Sequence, residues 1–270
     1  MKKLVPKKKV VEKTVEKRVD SVAQKSNTGN LSFQVGVKDE VTGDTYKYYD
    51  IRGLTGADEE ELAKPEYRSN KGKFINVILS RCITHIGPYD KKTLGFKKWY
   101  EVIQSLVIAD QDLALMEIRK KLTGDNITTE SMCPACSARL KTEMSIDEFP
   151  IKPYLGETEW ENDLPDGVEI NGEIHTHYTM RLPNGLDREL YMPVADKNAA
   201  KGTTLLLSRL ATFEGVVTNA ETFRNMTLSD RKYMEYDLNE HNFGYELIAE
   251  VECPECGESY KIAVGNVNFT

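Results

Sequence analysis

Four of the five cysteines fall into two Cys-Pro-x-Cys pairs, Cys133-Pro134-Ala135-Cys136 and Cys253-Pro254-Glu255-Cys256. A turn of this spacing aims two sulfurs at one spot, and two such turns supply a tetrahedral set at about 2.3 Å from a zinc ion. Proline inside the turn fixes one φ and lowers the entropy of holding it. The 116 residues between Cys136 and Cys253 are too many for an ordinary zinc ribbon, so each pair has to come from its own structural unit. The reading is one structural zinc per chain, held by Cys133, Cys136, Cys253 and Cys256. Four protein ligands close such a site and leave no open position for catalysis. Free thiols or a redox pair are the alternative, but a redox pair usually opens a helix in a βαβ context, and none is visible here. Five cysteines are also too few for a disulfide framework and point to a reducing compartment.

A second pattern explains the long separation. Leu79-Ser80-Arg81 with Thr84 and Gly87 recurs as Leu207-Ser208-Arg209 with Thr212 and Gly215, at a constant offset of 128. Further on the offset becomes 120, where Asp110, Gly124, Glu130, the first knuckle, Lys141 and Phe149 match Asp230, Gly244, Glu250, the second knuckle, Lys261 and Phe269. Ala57-Asp58 aligns with Ala195-Asp196. The expectation is therefore an α+β protein of two similar repeats. Each has a β-hairpin, helices and a zinc knuckle, and together they share one four-cysteine, zinc-ribbon-like site.

In the first repeat the alternating runs Leu31 to Val37 and Tyr46 to Leu54 read as a hairpin turning near Thr42-Gly43. In the second, Ile174 to Arg181 and Glu189 to Val194 read as its counterpart around Pro183-Asn184-Gly185. Helices are expected over Phe74 to Ile86 and Thr203 to Phe213, stopped by Gly87 and Gly215. A further helix carries Leu113, Met116 and Leu122 and ends near Gly124, or near Gly244 in the second repeat, where a strand from Glu246 to Glu252 leads into the knuckle. The division is residues 1–30 as a basic arm, 31–150 as the first repeat, 151–172 as an acidic, proline-containing linker outside the core, and 173–270 as the second repeat. Trp160, in that linker, is either a docking anchor or packed on its own repeat.

Charge divides unevenly. Residues 1–25 hold nine Lys or Arg against three Asp or Glu, so the remainder of a chain of net charge −7 stands at −13. An acidic body repels nucleic-acid backbones, while a basic arm suits an acidic partner. Val11, Val15, Val19 and Val22 would form one stripe on a helix, making the arm a segment that orders against another protein or, alternatively, a solvated tail. Mean hydropathy is −0.49, and the apolar runs are short, so a membrane-spanning helix is not expected. Met1 to Lys9 is basic but lacks the apolar stretch of a secretory signal.

The remaining candidates read as structure. Cys82 takes the place of Leu210 in the other repeat and is expected to be a buried core thiol. His175 and His177 share a strand face and favour a solvated or core role over a metal site. Arg81 and Arg209 are either a repeated buried ion pair or interface contact, or surface side chains lying along the protein. No phosphate loop, nucleophile elbow or H-E-x-x-H motif is present, so no catalytic residue is assigned.

The Asp-led helix from Leu106 to Gly124 with Ile118-Arg119, then Cys133-Pro134-x-Cys136, then a strand into Ser145-Ile146-Asp147, resembles the tailed-bacteriophage baseplate family that includes the T-even-type hub subunit. Residues 31–150 carry the likeness. The second half departs from it, with Asn239 at the position of Arg119 and Gly265-Asn266-Val267 at that of Ser145-Ile146-Asp147. The resemblance implies a non-enzymatic component of the baseplate hub that docks other tail proteins, made in the host cytoplasm and carried in the virion tail. It leaves open an assembly chaperone that departs before maturation. A zinc-ribbon nucleic-acid-binding or transcription factor is the reading from another class. Glu143, Asp147, Glu148, Glu250, Glu252, Glu255 and Glu258 around the knuckles, against Arg139, Lys141 and Lys261, argue against it. No small-molecule substrate is implied.

Overall fold

The structure is a computed structural model and describes residues 30–213, 216 and 218–264. The readings of residues 1–25, Gly215, residues 265–267 and Phe269 lie outside them. The fold is α+β, built from small antiparallel sheets and ten helices among the described residues.

The chain opens with β1 (Leu31–Lys38) and β2 (Thr45–Ile51), followed by α1 (Gly56–Leu62), α2 (Pro65–Arg68) and α3 (Lys71–Cys82). Next come β3 (Ile83–Ile86), β4 (Tyr89–Asp90), α4 (Lys91–Leu94), α5 (Phe96–Ser105) and α6 (Ile108–Thr123). The first knuckle lies between β5 (Asn126–Met132) and β6 (Arg139–Ser145), and β7 (Ile151–Lys152) follows. The second half runs through β8 (Glu159–Ile170), β9 (Glu173–Arg181), α7 (Gly185–Ala195), α8 (Ala199–Leu210), β10 (Ala211–Phe213), α9 (Ala220–Asn225) and α10 (Leu228–His241). It ends with β11 (Gly244–Tyr245), β12 (Ile248–Glu252) and β13 (Ser259–Ala263). One sheet has the order β1-β2-β3-β4 and another β10-β9-β8; β5-β6, β12-β13 and β7-β11 are pairs.

Three expectations are corrected. Residues 151–172 are not a linker outside the core: Glu159–Ile170 is a 12-residue strand that buries Trp160, Leu164, Val168 and Ile170 while its acidic residues face outward. Pro165 fits because the ladder to β9 is interrupted between Asp163 and Val168, so no paired N–H is lost. The hairpin around Pro183-Asn184-Gly185 does not form either. Asn-Gly serves a turn or a helix start equally well; here Asn184 caps α7, accepting from the amide of Asp187 three residues on. The expected helices also end earlier, at Cys82 and Leu210, and the chain continues as β3 and β10. Ile83, with no helical contacts to gain beyond the end of α3, pairs instead with Ile51 of β2.

Two apolar cores result. One surrounds Trp99, Ile78, Leu79, Ile83 and Ile103, and the other surrounds Tyr178, Met180, Phe213, Phe223 and Met234. The four-stranded and three-stranded sheets each receive an aspartate from a long helix. Asp110 accepts from the amides of Gln34, Val35 and Gly36, at 2.8, 3.0 and 2.8 Å, where the β1–β2 register breaks. Asp230 accepts from the Asp166 amide at 3.0 Å in the matching break of β8. Gly36 and Gly167 take φ of +85° and +84° at these breaks, a conformation that a side chain resists.

Candidate metal centre

Each knuckle sits at the tip of a two-stranded hairpin. The Cys133 amide donates to Ala138 O and the Ser137 amide to Cys133 O, both at 2.9 Å. In the second knuckle the Cys253 amide donates to Glu258 O at 2.9 Å and the Gly257 amide to Cys253 O at 2.8 Å. The residue after the second cysteine is left-handed in both, Ser137 at φ 61° and Gly257 at 74°. Glycine takes that conformation freely, whereas serine does so at a cost.

The hairpins are brought side by side by a small apolar cluster at their bases, Met116, Ile127, Ile146, Phe149 and Val264. Near the tips Ser131 Oγ lies 3.1 Å from Tyr260 Oη. As a result the four Sγ atoms all lie within 4.8 Å of one another. Cys133 Sγ is 3.7 Å from Cys256 Sγ, and Cys136 Sγ is 3.6 Å from Cys253 Sγ. A tetrahedral thiolate site with metal–sulfur distances of about 2.3 Å requires sulfurs about 3.8 Å apart. The four cysteines can therefore hold a metal ion. Cys133 and Cys253 are buried, and Cys136 and Cys256 are exposed.

Backbone amides favour thiolate at Cys133, Cys136 and Cys256, and at Cys133 they prevail. The amide of Cys136, then that of Ala135, hydrogen-bond to Cys133 Sγ and hold this thiol down to about 7. At Cys256 the Glu258 amide acts in the same sense, but hydrogen bonding with Cys136, burial and the other two sulfurs outweigh it and push the thiol up to about 12. Four sulfurs this close repel one another as thiolates, and a bound cation offsets that repulsion.

The other candidates sit elsewhere. Cys82 is fully buried in the first core, and burial pushes its thiol up to about 11. His177 faces outward on β9, with Nδ1 3.2 Å from Asp163 Oδ1 and Nε2 3.7 Å from Glu161 Oε2. Trp160 packs in its own half, stacked on His241 at 4.0 Å and donating from Nε1 to Asp237 Oδ2 at 2.7 Å.

Arg81 and Arg209 belong to clusters of which the repeated Ser-Arg reveals only one member. Arg52 donates from both terminal nitrogens to Asp58, at 2.6 and 2.9 Å, and Arg81 stands 3.6 Å from the same carboxylate. Arg181 donates to Asp187 at 2.7 and 3.1 Å, and Arg209 Nε at 2.8 Å. Both aspartates are buried at the third position of a helix, α1 or α7. A signal for the whole cluster does exist in the sequence: Arg six residues before Asp, then Ser-Arg, in each half. Asp196, aligned with Asp58 in the sequence, pairs instead with Lys71.

A family model described as T4 bacteriophage base plate protein matches residues 38–268, a span that includes both knuckles. Neither a curated protein nor a solved structure matches the chain.

Proposed function

The chain belongs to the T4 bacteriophage base plate protein family, and from that membership we propose that it is a non-enzymatic structural component of the tail baseplate hub that docks other tail proteins. The family match over most of the chain carries this reading. Assembly in the host cytoplasm and retention in the virion tail follow from it, with residues 1–25 as a docking arm. Mass spectrometry of purified particles tests it: the chain should be present at a fixed ratio to other baseplate proteins. Its absence from mature particles, with normal tails, would make it an assembly chaperone instead.

The metal in this reading is one structural zinc, bound by Cys133, Cys136, Cys253 and Cys256. Support comes from an all-sulfur donor set at tetrahedral separations, which suits a soft or borderline cation with no open coordination position. Its role is to tie the two hairpins together. The duplicated architecture belongs to the same proposal, with Glu159 as the start of the second repeat's hairpin. It is supported by the paired arginine–aspartate clusters and the paired aspartate-anchored sheets. Metal analysis of the purified protein should return one zinc per chain; two or none would sink the shared site.

A further inference from the structure

The arginine–aspartate cluster of the first half holds more positive charge than its carboxylates neutralise. Arg52 donates from both terminal nitrogens to Asp58, at 2.6 and 2.9 Å. Arg81 is left 3.6 Å from Asp58 and 3.6 Å from Glu61, and Glu61 already accepts from Lys64 at 2.7 Å. Arg81 Nε is buried and has no hydrogen-bond partner, whereas in the second half Arg209 Nε closes on Asp187 at 2.8 Å. A third cation joins from α4. Lys91, its first residue, is half-buried, and among the described residues its ammonium makes no hydrogen bond and no ion pair. Burial, then the guanidinium groups of Arg52 and Arg81, hold this ammonium below the ordinary lysine range against the pull of Asp58. Keeping it charged there costs free energy that an incoming anion would offset. In the second half the helix after β10, α9, opens instead with Ala220.

The chain that carries Lys91 has the same sign of charge. Lys92, Lys97 and Lys98 are exposed, and Asp90, the one carboxylate in residues 90–100, accepts from the amides of Lys92 and Thr93. This basic stretch belongs to a chain that carries −13 outside residues 1–25. An aromatic ring stands at its edge. Phe96 is 50% exposed, stacks on Tyr100 with ring centroids 5.8 Å apart, and has the Arg81 guanidinium 6.0 Å from its centre. Guanidinium and ammonium groups around one spot suit a carboxylate, and an exposed ring beside them suits an apolar side chain next to it. A phosphate backbone fits less well, because it needs a basic track and meets a body of its own sign.

We propose that Arg81, Lys91 and Phe96 form a docking site for an acidic segment of another protein, with one of its carboxylates entering between Arg81 and Lys91 and a neighbouring apolar side chain resting on Phe96. The incoming carboxylate supplies the acceptor that Asp58 and Glu61, already engaged by Arg52 and Lys64, do not. The site deepens the docking role and rests on it for the source of the segment, a second baseplate protein. It is independent of the identity of the metal.

Fluorescence anisotropy of the metal-loaded full chain with a labelled peptide, six glutamates around one central phenylalanine, tests it. The wild-type chain should bind the peptide, less tightly in high salt. Lys91→Ala should weaken binding by about fivefold, and Lys91→Glu by about tenfold or more, since the new carboxylate would itself occupy the place beside Arg81. Phe96→Ala should weaken binding of this peptide but not of plain hexaglutamate. Lys201→Glu, an exposed lysine of α8 in the second half, should bind as wild type does. Lys91→Met separates docking from folding: an ammonium with no partner in the fold can be removed with the urea midpoint unchanged or raised. No binding by the wild-type chain, equal losses in Lys91→Glu and Lys201→Glu, a lowered midpoint in Lys91→Met, or tighter binding of a single-stranded oligothymidylate of the same charge would each overturn the site. A peptide that fails to bind a chain found in purified particles would do so while leaving the docking role standing.

Discussion

Asp187 and Asp58 each stand third in a helix but are gripped differently. Both accept two hydrogen bonds from an arginine six residues earlier, yet Arg209 Nε reaches Asp187 at 2.8 Å whereas Arg81 stands 3.6 Å from Asp58 and shares itself with Glu61. The packing differs in the same sense. α7 lies against α8 closely enough that a Cβ on Gly202 would come within 2.4 Å of Ala195 Cβ. In the first half, a groove of about 880 Å³ opens beside α1, α2 and α3, lined by Leu54, Leu62, Tyr67, Phe74, Ile78 and Leu122. One cluster locks a helix that is covered on two sides, and the other orients a helix that is still partly open. Both carboxylates are buried; what differs is how closely the neighbouring helix lies and how many arginine nitrogens reach the aspartate.

The largest effect should come where the halves are joined and the comparison predicts equality. If one ion is shared, Cys133→Ser and Cys253→Ser should each abolish stoichiometric metal binding and loosen both hairpins, as read by metal analysis and by amide exchange over β5–β6 and β12–β13. Loss of protection in only the mutated hairpin would show that the knuckles act separately.

The clusters should then separate the halves. Replacing Asp187 with Ala leaves Arg181 and Arg209 without their buried partner and should cost about 3 kcal/mol in urea unfolding. Asp58→Ala should cost less, about 2 kcal/mol, since Arg81 stands 3.6 Å from Asp58 and keeps Glu61. The Arg52 guanidinium beside Asp58 holds its carboxyl well below the usual carboxylate range, helped by Thr55 against the opposing effect of burial. A folded value below the unfolded one contributes stability that is present above about pH 4 and lost as pH falls. Asp58→Asn should therefore flatten the acid limb of the stability profile, and an unchanged limb would remove Asp58 from it.

Gly56 and Gly185, which open α1 and α7, sharpen the contrast. Gly185→Ala would drive a Cβ into Gln111 and should cost about 2 kcal/mol. Gly56→Ala meets nothing within 4 Å and should change stability by no more than about 0.5 kcal/mol. Equal costs at the two positions would mean that α1 is covered after all. The smallest effect lies in the knuckles, where Ser137→Gly should stabilise the first hairpin by about 1 kcal/mol by relieving its left-handed φ of 61°. Thermal unfolding of the metal-loaded protein would register it.

Local chemistry makes several features legible in the amino-acid order alone. The knuckles follow from Cys-Pro-x-Cys turns, the β1–β2 hairpin from alternation around Thr42-Gly43, and the end of α6 from Gly124, because each depends on residues within a few positions of one another. β8 escapes such a reading for the opposite reason. Proline and many carboxylates describe a linker until Trp160, Leu164, Val168 and Ile170 are seen to turn together toward a core made by β9, α9 and α10. α7 escapes it because Asn184-Gly185 suits a turn or a helix equally, and the choice rests on Asp187 being held by arginines at 181 and 209. The two half-sites, the aspartate-led helix and the repeated Ser-Arg are thus written in short stretches of chain. Long-range packing settles the rest: that the knuckles come together at one centre, that each Ser-Arg arginine closes on a buried aspartate, and that α7 covers the helical face of the first half. Those outcomes join segments far apart in the chain, and a periodic pattern records which face is apolar but not what comes to lie against it.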